Sequence, residues 1–452
     1  MTLYGKKVVN AGAWTLGGHA ACQAIRFASS IVLARLLLPE AFGVVALATV
    51  VWVGLVMTTD IGLQQSIVRS ANPDAAGFLD TVWVMQIVQG LLIAMLLIAC
   101  SGLLIALQAA HYFPANSAYA HPGLVDALVG FALACTIQGL ASTNWAMATK
   151  RMEVKRILAI EIGCQCLSVA VMVSWARHDP SVHALIAGAI CAAVTRTLAS
   201  HTLLAGPRNS LRVSKEVARE VFRFGRWVFV GSSASFLASS LDKILLGAFT
   251  SAETVGVYVI AAQMIVAVHD LVYRFAGRVG LPALSAAYRA DPAGLARFYY
   301  QARLPTDLFC LAAAGALAVC GPQLVSLLFP PRFADAGTYL AILALSLLGV
   351  RFVLLGQVYL VVGNTRSIVL EQSTRVVALV VGMAVGFAHF GVIGAVWGVA
   401  CSYVVAALAS SLFVGRAMGL WNMRRELLAI PLLLIGLLLG LVLQQALTRV
   451  SA

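Results

Sequence analysis

The sequence predicts an all-α polytopic membrane protein: two six-helix lobes related by a parallel internal repeat, with about 12–14 transmembrane helices in all. Three observations lead there. Residues are 61% hydrophobic and only 11% charged, and the mean hydropathy is +0.92; soluble domains carry roughly 25% charged residues. Apolar runs of about 20 residues, the length that crosses a bilayer as a helix, recur throughout, and no stretch alternates like a barrel strand. Finally, residues 12–48 return, eroded, at 225–261.

The two stretches align without a gap at an offset of 213. Identities include Gly12/Gly225, Trp14/Trp227, Gly18/Gly231, Ala21/Ala234, Ile31/Ile244, Leu33/Leu246, Gly43/Gly256 and Ala48/Ala261. A paired Trp and three paired Gly are hard to obtain by chance, so the chain contains a duplicated unit. The copies also share a polar stripe. His19, Cys22, Arg26 and Ser29 fall at i, i+3, i+7 and i+10, one face of a helix, with Gln23 beside them. The same offset carries that face to Ser232, Ser235, Ser239 and Asp242, followed by Lys243. Two such hydrophilic flanks turned toward each other would enclose a cavity.

In chain order, thirteen spans are drawn: 10–36, 41–63, 79–107, 124–148, 157–177, 182–204, 222–249, 253–281, 300–328, 338–361, 368–388, 392–415 and 428–447. The start lacks the short apolar core and cleavage site of a signal peptide, so the first span is expected to remain as an anchor. Alternate connections hold nineteen Lys and Arg against three (Arg177, Arg332, Arg449), which predicts a cytoplasmic N-terminus. The second copy begins six spans after the first, so both run the same way through the membrane. The predicted domains are a lobe over 1–205, a basic cytoplasmic linker over 206–220, a second lobe over 221–416 and an additional helix over 427–448. An odd span count leaves the C-terminus outside. The linker's tail has the amphipathic composition of a short interfacial helix, although a solvated charged linker explains it equally well; 288–303 has the same character. The longest outside connection, 108–122, holds His111, Tyr112, Tyr119 and His121 but no Lys or Arg.

Charges inside the spans carry the functional information. The bases are Arg26, Arg35, Arg196, Arg226, Lys243, Arg274, Arg278, Arg351 and Arg375; set against them are Asp60, Glu161, Asp242, Asp270, Asp307 and Glu371. Each charge at a helix centre costs roughly 2.5–3.5 kcal/mol even on lenient scales. Arg35, Asp60, Arg226, Arg278, Asp307 and Glu371 lie near span ends, where snorkelling is the plainer account. Arg26, Arg196, Arg274 and Arg351 lie deeper. Asp270, Arg274 and Arg278 follow i, i+4, i+8 spacing, and Glu371–Arg375 repeat the i, i+4 pattern of an ion pair. Asp242 and Lys243, about 100° apart on a helix, are expected to reach different helices. The excess of bases suits an anionic ligand, because guanidinium binds phosphate oxygens bidentately and stays charged when desolvated. The candidate cationic cavity residues are therefore Arg26, Arg196, Lys243, Arg274, Arg278 and Arg351. His19, Gln23, Ser232, Ser239 and Asp242 form its polar stripe. Glu161, Asp242 and Asp270 are candidates for proton or sodium coupling, since burial can raise a carboxylate's pKa into the working range.

All nine Cys lie in apolar runs and read as small core residues; neither they nor the eight His show zinc spacing, so neither a metal nor a tightly held cofactor is expected.

The segment from Trp14 and Arg26 through 30–48 resembles the polysaccharide transporter family, the Wzx-type flippases of lipid-linked oligosaccharides. These belong to the multidrug/oligosaccharidyl-lipid/polysaccharide exporter superfamily. Residues 241–263 resemble that family's second hallmark through Asp242, Leu246, Gly247, Gly256, Tyr258 and Ala261. The resemblance implies two six-helix lobes around a central cationic cavity and alternating access. Its implied substrate is an undecaprenyl-diphosphate-linked repeat unit for exopolysaccharide, capsule or O-antigen in the lipopolysaccharide. It carries a diphosphate-holding role to Arg26 and Lys243, and by extension to Arg274. It also implies a multi-pass protein of the bacterial inner membrane, in contact with membrane lipids and with a polysaccharide polymerase and co-polymerase as partners, and not with nucleic acid.

Other functions fit less well. A multidrug exporter of the same superfamily handles cations and favours acidic, aromatic cavities. A polymerase or ligase needs a large outside loop with basic residues. No Walker motif appears, so direct use of ATP is not expected, and the chain is expected not to be an enzyme.

Overall fold

The computed structural model describes residues 3–70, 77–114, 116–416, 418–420, 422, 426 and 429–451. Within these, the side chains of 3–16, 19, 224, 226–231, 233–235, 238 and 448–451 lie outside the described set, as therefore do the predicted roles of His19 and Ser235. All regular structure among the described residues is helical. Nine helical stretches there are long and apolar enough to cross a membrane, ten if one bent pair is a single span. A helix coincides with each of the thirteen expected spans.

The chain divides into two compact units, Met1–Gly256 and Val257–Ala452. The first holds α1 (Leu3–Leu36), α2 (Pro39–Thr58), α3 (Leu63–Arg69), α4 (Phe78–Ala109), α5 (Gly123–Gly139), α6 (Asn144–Lys150), α7 (Val154–His178), α8 (Val182–Thr202) and α9 (Lys215–Phe249). It also takes the first residues of α10 (Ala252–Phe275). The linker's tail is helical, as the opening turns of α9, with Ser214 as its cap.

The predicted fourth span is two helices. α5 stops at Gly139 and α6 restarts at Asn144, bent by 65°. Nothing in the apolar run 124–148 requires a break; side chains from other helices stabilise it. Gln86 of α4 donates to the carbonyls of Gly139 (3.1 Å) and Ala141 (2.8 Å), and Ser200 of α8 accepts from Ser142 N at 2.8 Å. Freed backbone groups at membrane depth must find such partners.

The repeat is visible as a contact. Pro39 and Gly43 open α2; 213 positions on, Ala252 and Gly256 open α10. A Cβ on Gly43 would run into the Ala252 carbonyl oxygen, and one on Gly256 into the Pro39 carbonyl oxygen. Equivalent glycines thus pack against each other's equivalent carbonyls, the signature of a local two-fold axis, and only a residue without a side chain permits that approach.

The connection between α4 and α5 is also tied to α9. Ala118 N donates to Thr250 O at 2.7 Å, Ser117 Oγ to Gly247 O at 3.0 Å and Tyr119 Oη to Ile244 O at 3.0 Å. Burial pushes the Tyr119 phenol up to about 12. An unfolded Tyr ionises near 10, so the neutral form's advantage is complete below pH 10 and disappears as pH rises toward 12. Tyr119→Phe is therefore expected to flatten the fall in thermal stability over that window, as read by melts in detergent at stepped pH.

The second unit holds the rest of α10, a π turn at Ala276–Gly280, α11 (Leu281–Ala290), α12 (Leu295–Leu328), α13 (Asp335–Ala344), α14 (Leu347–Val350), α15 (Val353–Val362), α16 (Thr365–Ser410) and α17 (Ala429–Ser451). The predicted tenth span is thus three short helices. The eleventh and twelfth run together through α16, which turns at Gly391 (φ 61°, ψ −145°), a conformation open to glycine alone. α12 and α17 pack along their lengths.

Candidate functional site

A cavity of about 360 Å³ lies wholly within the first unit, lined by α2, α3, α4, α5, α6 and α8. Trp52 and Trp145 supply aromatic surface, Gln64, Gln65, Gln86, Gln89 and Gln138 supply amides, and Asp60 and Arg196 supply charge. The helix packing explains which polar atoms face inward. Gln86 spends its amide N–H groups on the break after α5 and Gln89 donates one to Thr59 O (2.9 Å), which leaves their carbonyl oxygens as acceptors. Asp60 is capped by Gly62 N at 2.8 Å and by Ser232 Oγ of α9 at 3.4 Å. Arg196 sits over the Trp145 ring, its guanidinium carbon 4.5 Å from the centroid, and no carboxylate among the described residues pairs with it. A cation held by an aromatic face at a polar cavity keeps its hydrogen-bond donors available.

The other predicted residues of this unit are placed differently. Arg26 is exposed on α1, which packs on α7, and Cys22 lies within electrostatic reach of both Arg26 and Glu161. Gln23 is half-buried on the same helix. Asp242 and Lys243 do not reach apart: the lysine stem folds back and its ammonium pairs with Asp242 Oδ1 at 3.3 Å. Ser239 is exposed and donates to Phe236 O at 3.1 Å.

In the second unit, Asp270 and Arg274 are half-buried on α10, and Arg274 Nε is buried without a hydrogen-bond partner among the described residues. Arg278 is exposed in the π turn. Arg375 and Glu371 do not pair with each other; Arg375 donates to Tyr403 Oη at 2.7 Å, and Glu371 accepts from Ser410 Oγ at 3.3 Å. Both partners lie on the returning half of α16.

Arg351 is enclosed by carboxylates. Its Nη2 donates to Glu426 Oε2 at 2.6 Å and its Nη1 to Asp307 Oδ1 at 3.5 Å. Arg303, 1% exposed, grips Glu426 with both terminal nitrogens (2.7 and 3.0 Å) and Asp307 through Nε at 3.0 Å. The Phe352 ring lies 4.1 and 4.5 Å from the two guanidinium carbons. Two bases and two acids cancel, so Arg351 brings no net charge to a ligand. Arg303 counts among the nineteen connection bases on the sequence alone, and Glu426 falls between the last two expected spans. A glutamate following two arginines (Arg424, Arg425) reads there as ordinary loop charge.

The cavity's five glutamines were also missed, because an uncharged amide leaves no mark on a charge count. Their spacing was the available signal: Gln86 and Gln89 stand i, i+3 in an otherwise apolar span.

A family model described as "Polysaccharide biosynthesis protein" matches residues 32–338. No curated protein sequence matches the chain. Among solved structures, the chain resembles lipid II flippase MurJ in its inward closed conformation with a TM-score of 0.71 and 11% identity over 98% of both chains. It resembles a MOP superfamily transporter from Pyrococcus furiosus with a TM-score of 0.56 and 16% identity, covering 92% of this chain and 96% of that one. A MATE structure in complex with MaL6 gives 0.52 and 14%, again over 92% and 96%. At such identities the likeness is one of fold. The fold is that of the MOP superfamily transporters and of MurJ, the chain is a multi-pass membrane protein, and with more than half its length matched it belongs to the polysaccharide biosynthesis protein family.

Proposed function

We propose that the protein is a flippase that carries an undecaprenyl-diphosphate-linked oligosaccharide repeat unit across the bacterial inner membrane by alternating access, for export of exopolysaccharide, capsule or O-antigen. The N-terminus would then lie in the cytoplasm, consistent with the nineteen-to-three division of Lys and Arg. Membership of a polysaccharide biosynthesis family supports the glycan. The fold shared with a lipid II flippase supports a lipid carrier.

The observation that carries the reading is the first-unit cavity with Arg196 on Trp145. It combines a cation that no carboxylate among the described residues pairs with, amide oxygens suited to accept from sugar hydroxyls, and two indoles. At about 360 Å³ it lies within the usual range for ligand sites, enough for part of a head group whose prenyl tail stays in lipid. Within the first unit Arg26 is assigned to phosphate, with Lys243 weakened by Asp242. Within the second, Arg274 is a separate phosphate candidate because its buried Nε lacks an acceptor among the described residues, with Arg278 one turn on. Glu161 and Asp270 are assigned to proton or sodium coupling.

Deleting the gene is expected to make lipid-linked repeat units accumulate on the inner leaflet. Arg26→Ala, Arg196→Ala and Arg274→Ala are each expected to cut polymer export at least tenfold at wild-type protein levels in the membrane. Normal export from all three would refute the assigned roles. The MATE-like fold keeps a multidrug exporter as the second reading; drug accumulation in the deletion strain without trapped repeat units would select it.

A further inference from the structure

Residues 203–214 join α8 to α9, and the surface they form with the first turns of α9 is more than a topology signal. Arg208, Arg212, Lys215, Arg219 and Arg223 are all exposed, and none forms an ion pair with any described residue. The positive-inside tendency accounts for cations here. It does not account for three large apolar side chains among them: Leu211 is 78% exposed, Val213 60% and Phe222 59%.

The segment holds this surface in a fixed shape. Ser210 bonds Asp80 at the start of α4 through its backbone N (2.8 Å) and its Oγ (2.6 Å). Asn209 Nδ2 donates to Thr143 Oγ1 at 2.7 Å and its Oδ1 accepts from Ser142 Oγ at 2.8 Å. Ser214 N donates to Thr81 Oγ1 at 2.9 Å.

The first turns of α9 then sort their side chains. Val221 is buried and Val217 partly buried against Leu63, Ile67 and Phe78. At 100° per residue, Lys215, Arg219, Phe222 and Arg223 fall within an arc of about 100° on the side away from that core. Glu216 and Glu220 lie beside the arc. The Ser214 hydroxyl donates to Glu216 at 2.7 Å and holds its carboxyl below the usual range.

A rigid face that alternates guanidinium groups with exposed leucine, valine and phenylalanine matches one environment, the boundary between acidic headgroups and acyl chains. We infer that residues 208–223 form a docking surface for anionic phospholipid. The cations bind the phosphodiester groups of the leaflet at this end of the helices, and Leu211, Val213 and Phe222 insert beneath them.

The test uses the full chain in detergent micelles, with the thermal midpoint measured as phosphatidylglycerol or phosphatidylcholine is added. Phosphatidylglycerol is expected to raise the midpoint by several degrees more than phosphatidylcholine, and half-molar salt to remove the excess. The combination Arg208→Gln, Arg212→Gln, Arg219→Gln and Arg223→Gln should at least halve that excess without moving the midpoint in detergent alone. If this variant fails to accumulate, the pair Arg208→Gln and Arg212→Gln, which lies before α9, is read the same way. Equal gains from the two lipids, a full excess in the variants, or the same gain from inorganic phosphate would each overturn the assignment.

Discussion

Glu426→Ala is expected to destabilise the second unit by about 3–5 kcal/mol, the usual result of removing one partner from a buried ion cluster. The carboxylate receives three short hydrogen bonds, two from Arg303 and one from Arg351, and its loss leaves Asp307 alone against two guanidinium groups. Arg303 is sealed from solvent and has no route to water in compensation. Arg303→Met combined with Glu426→Leu should lose less than Glu426→Ala, because apolar replacement removes the desolvation penalty together with the bond. Unfolding in graded sodium dodecyl sulfate measures both. A loss under 1 kcal/mol for Glu426→Ala would show that the cluster is solvated and its charges independent.

Gly43→Val and Gly256→Val are expected to behave alike, each costing about 3 kcal/mol, the upper end for overpacking. Each added side chain meets a backbone carbonyl rather than a flexible group, so α2 and α10 must part. Gly17, where a Cβ meets nothing within 4 Å, is the control, and Gly17→Ala should be neutral or slightly stabilising. Melts of the three purified variants decide it; a wild-type melt for one of the two glycine variants would show that the contact is not reciprocal.

The glycine pair also shows what was legible in advance. The offset of 213 came from identities alone, and Gly43/Gly256 turned out to be a place where the copies touch. Hydropathy located the helices because bilayer thickness imposes their length, whatever their packing. It could not show that α5 breaks at residues 140–143, since the break depends on Gln86 and Ser200 reaching in from helices remote in sequence. Charge counting singled out Arg196, which lines the first-unit cavity, yet it treated Arg351 as a free base. Arg351's partner Glu426 is 75 residues away, and no periodicity reports a pairing of that separation. Asp242 and Lys243 were misjudged for a local reason: a helical wheel fixes where a side chain leaves the helix, and a four-carbon stem ends elsewhere.

The reciprocal glycine contact sets a schedule for biogenesis. Ribosomes add about 5–20 residues per second, so roughly ten to forty seconds pass between synthesis of Gly43 and of its counterpart 213 residues later. Through that interval α2 waits in the bilayer with its notch unfilled, open to lipid or to a neighbouring nascent chain. Slowing translation between the two glycines should lengthen that exposure.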